Sequence, residues 1–344
     1  MHEAVATLLR RDRPVGLPVW RSFWDRLHEG DLRRGEAVAL LASLSTRMPD
    51  RDTLTGLLDS LAERGPAGIH ADVGAAVNIV GTGGGPRTFN VSTAAAVVAA
   101  AMGVKVVKTG SRAYTGSLGS VDLLERLGIP LVSSYEQTHA SLERHGIAFA
   151  GAFVYPVELT LLARGVLPLD MRRIGLFVNA LGPFLSCLPA KAQLTGAADL
   201  RLVTGLRHAA AYRARGGDRS VWLCVNEAGA DELLSFTPNR VYLHEGSAER
   251  EFVLDPARLG LRSGSTEELR PQGDDPVTYF REVLSGRCSP VAEETVCLNA
   301  AALAVAGRFT DDWDAALAAA RGVVRDGRAL GLLARLRSEA TAHV

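Results

Sequence analysis

The chain has 344 residues, 47% hydrophobic and 22% charged, which suits a well-buried core in one large domain or two. Its 38 basic and 38 acidic side chains balance, so overall charge selects neither nucleic acid nor an anionic membrane as partner. Four widely spaced cysteines (Cys187, Cys224, Cys288 and Cys297) lack zinc-ligand spacing and the eight histidines do not cluster, which predicts buried free thiols rather than disulfides or a His/Cys metal site.

The first twenty residues mix Arg10, Arg11, Asp12 and Arg13 with short apolar pieces, unlike the continuous apolar core of a signal peptide. No stretch reaches membrane-spanning length without charge or Gly/Pro interruption, and a cytoplasmic protein is expected. Residues 20–65 carry helical periodicity: Phe23, Leu27 and Leu32, then Ala37 to Leu41, then Leu54, Leu57, Leu58 and Leu61. They predict a small helical bundle closed by the breaker Gly65-Pro66-Ala67-Gly68.

From Asp72 the pattern becomes strand, glycine loop, helix, repeated. Strands are expected at Val77–Val80, Val104–Val107 and Ile129–Val132, with helices at 93–102 and 120–127. Leucine-rich turns over Pro156–Leu188, broken at Asn179-Ala180-Leu181-Gly182-Pro183, read as chain returning to the bundle. A helix at 198–214, a strand at Val221–Val225, a hairpin of Arg240–His244 with Glu251–Leu254, and helices at 276–286, 289–306 and 312–340 complete the chain. The expected class is therefore α/β. A small N-terminal helical domain (1–70, completed by about 156–195) accompanies a larger domain (71–155 and 196–344) with a central, mostly parallel sheet. Its ligand would lie at the carboxyl ends of the strands.

Three stretches follow apolar strands and carry chemistry. The first is Gly81-Thr82-Gly83-Gly84-Gly85, leading through Asn90, Ser92 and Thr93 into an alanine-rich helix. Glycines let backbone N–H groups close on an anion, and a helix start adds free donors and a positive dipole end. Alone, this could equally be a βα turn that binds nothing. The second, Lys108 to Ser120, offers Lys108 and Arg112 to neutralise charge, with Ser111, Gly116, Ser120 and other hydroxyl and glycine positions to fix a polyanion. The third places Asp231-Glu232 just beyond a strand, a carboxylate pair suited to Mg²⁺. Together they point to a magnesium-bound pyrophosphate ester.

Gly81-Thr82-Gly83-Gly84, Phe89-Asn90-Val91-Ser92-Thr93, Lys108-Thr109-Gly110-Ser111-Arg112, Gly119 to Leu124, Asn179 to Pro183, Asp231-Glu232 and Leu298-Asn299-Ala300-Ala301 together resemble the anthranilate phosphoribosyltransferase family, in order, over nearly the whole chain. The resemblance implies a homodimer formed through the helical domain, a site in the cleft between domains, and transfer of phosphoribose from phosphoribosyl pyrophosphate (PRPP) with Mg²⁺. By matched position, Gly81, Gly84, Thr88, Asn90, Ser92, Thr93, Lys108, Arg112 and Ser120 would contact PRPP, with Ser111 and Gly116 in the same loop, and Ser92, Asp231 and Glu232 would serve the metal.

The chain departs from the family in several places. Gly85 stands where an aspartate is usual, in a loop one residue shorter that continues with Pro86 and Arg87. Thr109, Ser111 and Ser117 replace the family's His, Asn and Lys. Gly175 occupies the position of the anthranilate-binding arginine, and Val157, Glu158 and Leu159 replace an Asn-Tyr-His sequence. Losing that arginine while gaining Glu158 argues against an anionic acceptor. The expectation is an amine or hydroxyl of secondary metabolism, such as an amino sugar, bound or activated by Glu158. Arg172 or Arg173 could still hold a carboxylate from a shifted register, which keeps anthranilate as an alternative. Two further alternatives are a nucleoside phosphorylase and a non-catalytic homologue binding nucleic acid through Arg201, Arg207, Arg213 and Arg215.

Overall fold

A computed structural model describes residues 1–65, 73–110, 112, 118–169, 171–273 and 275–342. The chain divides into two compact units. The first comprises Met1–Ile69, Ala152–Leu188 and Arg201–Arg213. The second comprises His70–Gly151, Pro189–Leu200 and Ala214–Val344.

The first unit is helical. It begins with α1 (Glu3–Arg10), α2 (Leu17–Glu29), α3 (Glu36–Thr46) and α4 (Arg51–Ala62). Asp50 caps α4 by accepting the Thr53 N–H at 2.8 Å, and Gly30 ends α2 in a left-handed turn. Trp20, Phe23 and Trp24 of α2 are fully buried, and the indole N–H groups are satisfied on α4. The Trp20 indole N–H donates to the Thr53 carbonyl at 3.1 Å and that of Trp24 to the Ser60 hydroxyl at 2.8 Å.

The second unit builds a seven-stranded sheet in the order β3-β2-β1-β4-β5-β6-β7. Its first part runs β1 (Val77–Ile79), α5 (Val91–Ala101), β2 (Val106–Lys108), α6 (Ser120–Leu127), α7 (Tyr135–His145) and β3 (Ile147–Phe149). The chain returns to the first unit with α8 (Val157–Gly165), α9 (Met171–Ile174) and α10 (Leu176–Leu185), and then to the sheet with β4 (Ala192–Gly196). After α11 (Val203–Ala214) come β5 (Ser220–Asn226), β6 (Asn239–Glu245) and β7 (Ala248–Leu254). β3, β2, β1, β4 and β5 are parallel, and β6 and β7 add antiparallel strands at one edge.

Helices α12 (Pro276–Val283), α13 (Pro290–Ala306), α14 (Trp313–Arg325) and α15 (Arg328–Ala342) close the chain. Nearly every side chain of α13 is buried, as expected of a helix apolar all round, and it packs on α5, α14 and β4. Among the described residues no helix is long and apolar enough to cross a membrane.

The structure corrects several expectations. Ile129–Val132 is not a strand: Pro130 supplies no ladder donor, and the segment leaves only a bridge between Val132 and Ala150. The third strand is instead β3, after an α7 that Ser134 caps and Gly146 ends. β4, Ala-Gln-Leu-Thr-Gly, has Thr195 as its one strand-favouring residue and was not expected, yet it is buried along its whole length between β1 and β5. The stretch 312–340 is two helices, parted at Gly327 with φ +76°. Residues 201–213, expected with the sheet, belong to the helical unit. There the Tyr212 hydroxyl donates to Asp59 at 2.7 Å and His208 Nε2 lies 2.8 Å from the Thr55 hydroxyl.

Candidate active site

The strand order makes β1 and β4 neighbours from which the chain proceeds in opposite directions along the sheet, to β2 and to β5. That is the topological switch point where open α/β sheets bind ligands beyond the carboxyl ends of their strands. The ladder continues past β1, with the Val80 N–H donating to the Leu194 carbonyl at 3.1 Å and that of Thr82 to Gly196 at 3.0 Å. Gly83 and Gly84 then turn the chain with φ of +73° and +87°, a backbone glycine adopts without strain.

This loop closes on the residues after β5. Asp231 is half-buried, and its Oδ2 accepts the Gly83 N–H at 2.8 Å. A Cβ at Gly81 would collide with the Asp231 carboxylate, and one at Gly196 with the Asp231 backbone. The neighbouring Glu232 accepts the Thr88 hydroxyl at 2.9 Å through Oε1, while its buried Oε2 has no hydrogen-bond partner among the described residues. Burial drives both carboxyls up, Glu232 furthest because the Asp231 charge adds to the effect. A pair that resists double ionisation and keeps one oxygen unpartnered fits a divalent cation, with the remaining ligands drawn from substrate oxygens and water. Among the described residues no third His, Cys, Asp or Glu joins them.

Asparagines shape this loop. Asn226, at the end of β5, donates to the carbonyls of Ala230 at 3.2 Å and Glu232 at 2.9 Å, and accepts the Ala230 N–H at 3.1 Å. Asn299 on α13 accepts the Leu233 N–H at 3.2 Å and returns a bond to the Leu233 carbonyl at 2.8 Å. Sequence reasoning assigned neither a role, although Asn226 directly follows an apolar strand and Asn299 lies in a motif that carried the resemblance.

Lys108 ends β2 almost wholly buried. Its ammonium donates to the Thr109 carbonyl at 2.6 Å. Burial lowers its pKa to about 8, with Asp231 and Glu232 pulling the other way. Thr109, which replaces the family histidine, is held by Asn78 of β1: Asn78 Oδ1 accepts the Thr109 N–H at 3.2 Å and Nδ2 donates to its hydroxyl at 3.1 Å. A polar residue inside an otherwise apolar strand was the available signal. Gly85, which replaces the family aspartate, also has a local cause. A Cβ there would lie 2.9 Å from the Gly229 carbonyl and 3.2 Å from Asp231 Oδ1, no place for another carboxylate.

The two glycine loops are tied together where Asn90 donates to the Leu118 carbonyl at 3.0 Å, and Ser120 packs on Gly110 beside Lys108. Ser92 and Thr93 stand in the first turn of α5, with the Thr93 hydroxyl buried and unpartnered among the described residues. Gly81, Gly84, Thr88, Asn90, Ser92, Thr93, Lys108, Ser120, Asp231 and Glu232 thus all lie at or just beyond the carboxyl ends of β1, β2 and β5.

Arg112 departs from its expected role. It is exposed and pairs with Asp122 at 3.0 Å and with Glu125, both on α6, which raise its pKa further. Glu158 lies in the helical unit, buried, with Oε1 3.4 Å from Arg64, a residue that also pairs with Asp25. Ser111 and Gly116 lie outside the described residues, as does the Arg172 side chain. Arg201, Arg207, Arg213 and Arg215 all have partners, Arg213 with the Leu188 carbonyl, so they do not form a free basic face.

The sequence matches the glycosyl transferase family, a/b domain, over residues 73–330. Anthranilate phosphoribosyltransferase of Methylocella silvestris is 34% identical over 318 residues, 91% of this chain and 88% of that protein. That of an Arthrobacter species is also 34% identical, over 90% of this chain and 87% of its own. Among solved structures, anthranilate phosphoribosyltransferase from Thermus thermophilus superposes with a TM-score of 0.80 at 28% identity, covering 99% of this chain and all of that one. The Saccharomyces cerevisiae enzyme in complex with PRPP and Mg shares the fold with a TM-score of 0.75 at 20% identity, over 95% and 92% of the two chains.

Proposed function

The chain belongs to the glycosyl transferase family that carries this a/b domain, and from that premise we propose that it transfers 5-phosphoribose from PRPP to anthranilate in a Mg²⁺-dependent reaction. The observation that carries the donor half is the half-buried Asp231-Glu232 pair, clasped by the Gly83 N–H and the Thr88 hydroxyl, with buried Lys108 close enough to feel its charge.

The acceptor reading departs from the amine or amino-sugar expectation. Relatives at 31–34% identity are anthranilate phosphoribosyltransferases, which supports the aromatic acceptor. The charge argument against an anion also weakens, because Arg64, shared between Glu158 and Asp25, offsets part of the Glu158 charge. At Gly175 a Cβ would meet the Met171 sulfur at 2.7 Å and its carbonyl oxygen at 2.8 Å, so the turn of α9 fills the space of the family arginine. A carboxylate-binding cation then comes from another position, and Arg173, two residues earlier, is exposed.

In the reaction the bond from C1 of the ribose to pyrophosphate breaks. The amine nitrogen gives its lone pair to C1 and loses a proton to solvent. Asp231 and Glu232 would hold Mg²⁺, which when bound neutralises charge on the departing pyrophosphate. Lys108 in its ammonium form supplies fixed positive potential at the same place. The first-turn N–H groups of α5 and the hydroxyls of Ser92 and Thr93 are the donors a terminal phosphate needs. An amine nucleophile requires no strong base, so no general base is assigned.

The test mixes protein, PRPP, Mg²⁺ and anthranilate, and follows pyrophosphate release and the N-phosphoribosyl product by chromatography. Turnover abolished by EDTA is the expected result. Release of pyrophosphate with amino sugars but not with anthranilate would reject the acceptor, and absence of PRPP binding in calorimetry would reject the whole reading.

A further inference from the structure

PRPP is a polyanion, and the two phosphate-type loops engage most of the cations they carry. Lys108 is buried and donates to the Thr109 carbonyl, and Arg112 is spent on Asp122 and Glu125. The family's histidine and second lysine are Thr109 and Ser117 in this chain. Arg87 remains. It precedes Thr88, whose hydroxyl is bonded to Glu232, and follows Gly85 by two residues, where the backbone closes on Gly229 and Asp231. Its backbone is thereby fixed beside the acid pair.

The side chain is exposed and, among the described residues, has no hydrogen bond or ion pair. An arginine placed next to two carboxylates would ordinarily bond one of them. Here no bond runs from Arg87 to either carboxylate: Asp231 Oδ2 accepts the Gly83 N–H and Glu232 Oε1 the Thr88 hydroxyl, and the guanidinium fork stays open to an anion from outside. Its planar donors match two phosphate oxygens at once.

We infer that Arg87 is a substrate-binding residue that grips the pyrophosphate group of PRPP, in place of the cations this chain has lost from its second loop. The inference rests on the phosphoribosyl reading above.

Calorimetry on the full-length protein with Mg²⁺ tests it, using PRPP, inorganic pyrophosphate and ribose 5-phosphate as separate probes. Arg87→Gln should weaken PRPP and pyrophosphate about tenfold or more while leaving ribose 5-phosphate within about twofold. Arg87→Lys, a point charge, should recover only part of the loss. In turnover kcat/KM for PRPP falls at least as far as the affinity does, because a cation on the pyrophosphate also faces the charge that develops as it departs. An Arg87→Gln protein with unchanged pyrophosphate affinity overturns the inference, as does a loss confined to ribose 5-phosphate. A wild type that binds neither PRPP nor pyrophosphate removes the phosphoribosyl reading and this assignment together.

Discussion

Gly81→Ala isolates how tightly the first loop holds the acid pair. Gly81 is not among the glycines with positive φ, so alanine costs no backbone strain there and the perturbation is purely steric. The added carbon would lie 2.7 Å from Asp231 Cγ, whereas carbon atoms in contact settle at about 3.5–4.0 Å, so the carboxylate must move by roughly 1 Å. That shift breaks the 2.8 Å bond from the Gly83 N–H. Overpacking of this kind costs about 1–3 kcal/mol of stability. Misplacing a catalytic group by about 1 Å costs on the order of a hundredfold in rate.

The control is Gly246→Ala in the β6–β7 turn, where φ is +57° and an added Cβ meets nothing within 4 Å. Alanine in a left-handed conformation costs about 1–2 kcal/mol. The turn adjoins the pairing of Ser220 with Glu245, at the opposite end of β5 from Asn226. Urea denaturation should show similar destabilisation in both variants, while Mg²⁺-dependent turnover collapses only in Gly81→Ala. A Gly81→Ala enzyme within about threefold of wild-type turnover would refute the close approach of loop and carboxylate.

Three further outcomes follow from the same geometry. Asn226→Ala and Asn239→Ala each remove three hydrogen bonds, two of them buried, and should each cost about 2–3 kcal/mol in urea titrations, yet only Asn226→Ala should also weaken Mg²⁺-dependent PRPP binding; equal binding losses would deny Asn226 its role in shaping the loop. Burial holds Lys108 at about 8 in the folded protein, below its value in the unfolded chain, so the unfolded state carries more protons in between and stability rises with pH there. Metal-free wild type should gain about 3 kcal/mol relative to Lys108→Met as pH is raised from roughly 7 to 11, and a pH-independent difference would contradict the burial argument. Glu158→Gln should change the KM for anthranilate by less than about threefold, the scale of a partly exposed ion pair; a large rise in that KM alone would return Glu158 to the acceptor site.

Much of this protein could be read from its sequence, because local signals and the final structure agree there. Helical periodicity over residues 20–65 became α2, α3 and α4. The alternation of apolar runs with glycine loops became β1, α5, β2 and α6. The donor loops were equally legible, since glycines, hydroxyls and Lys108 directly after strands announce an anion site by residue type and position. Asp231-Glu232 stood out for the same reason.

What the sequence could not decide depends on partners distant in the chain. β4 is a central strand although Ala192, Gln193 and Gly196 give it no strong propensity, because β1 and β5 satisfy its backbone on both sides. Arg112 reads as a phosphate ligand until α6 brings Asp122 and Glu125 within its reach. Glu158 reads as a bare charge until the fold sets Arg64 against it. Thr109 and Gly85 read as lost function until Asn78 and the Gly229 carbonyl account for them. Residue type determined which groups could meet a pyrophosphate ester. Only the tertiary structure decided which charges are already neutralised by a neighbour, because an ion pair or a steric limit is a property of two segments and no single stretch of sequence carries it.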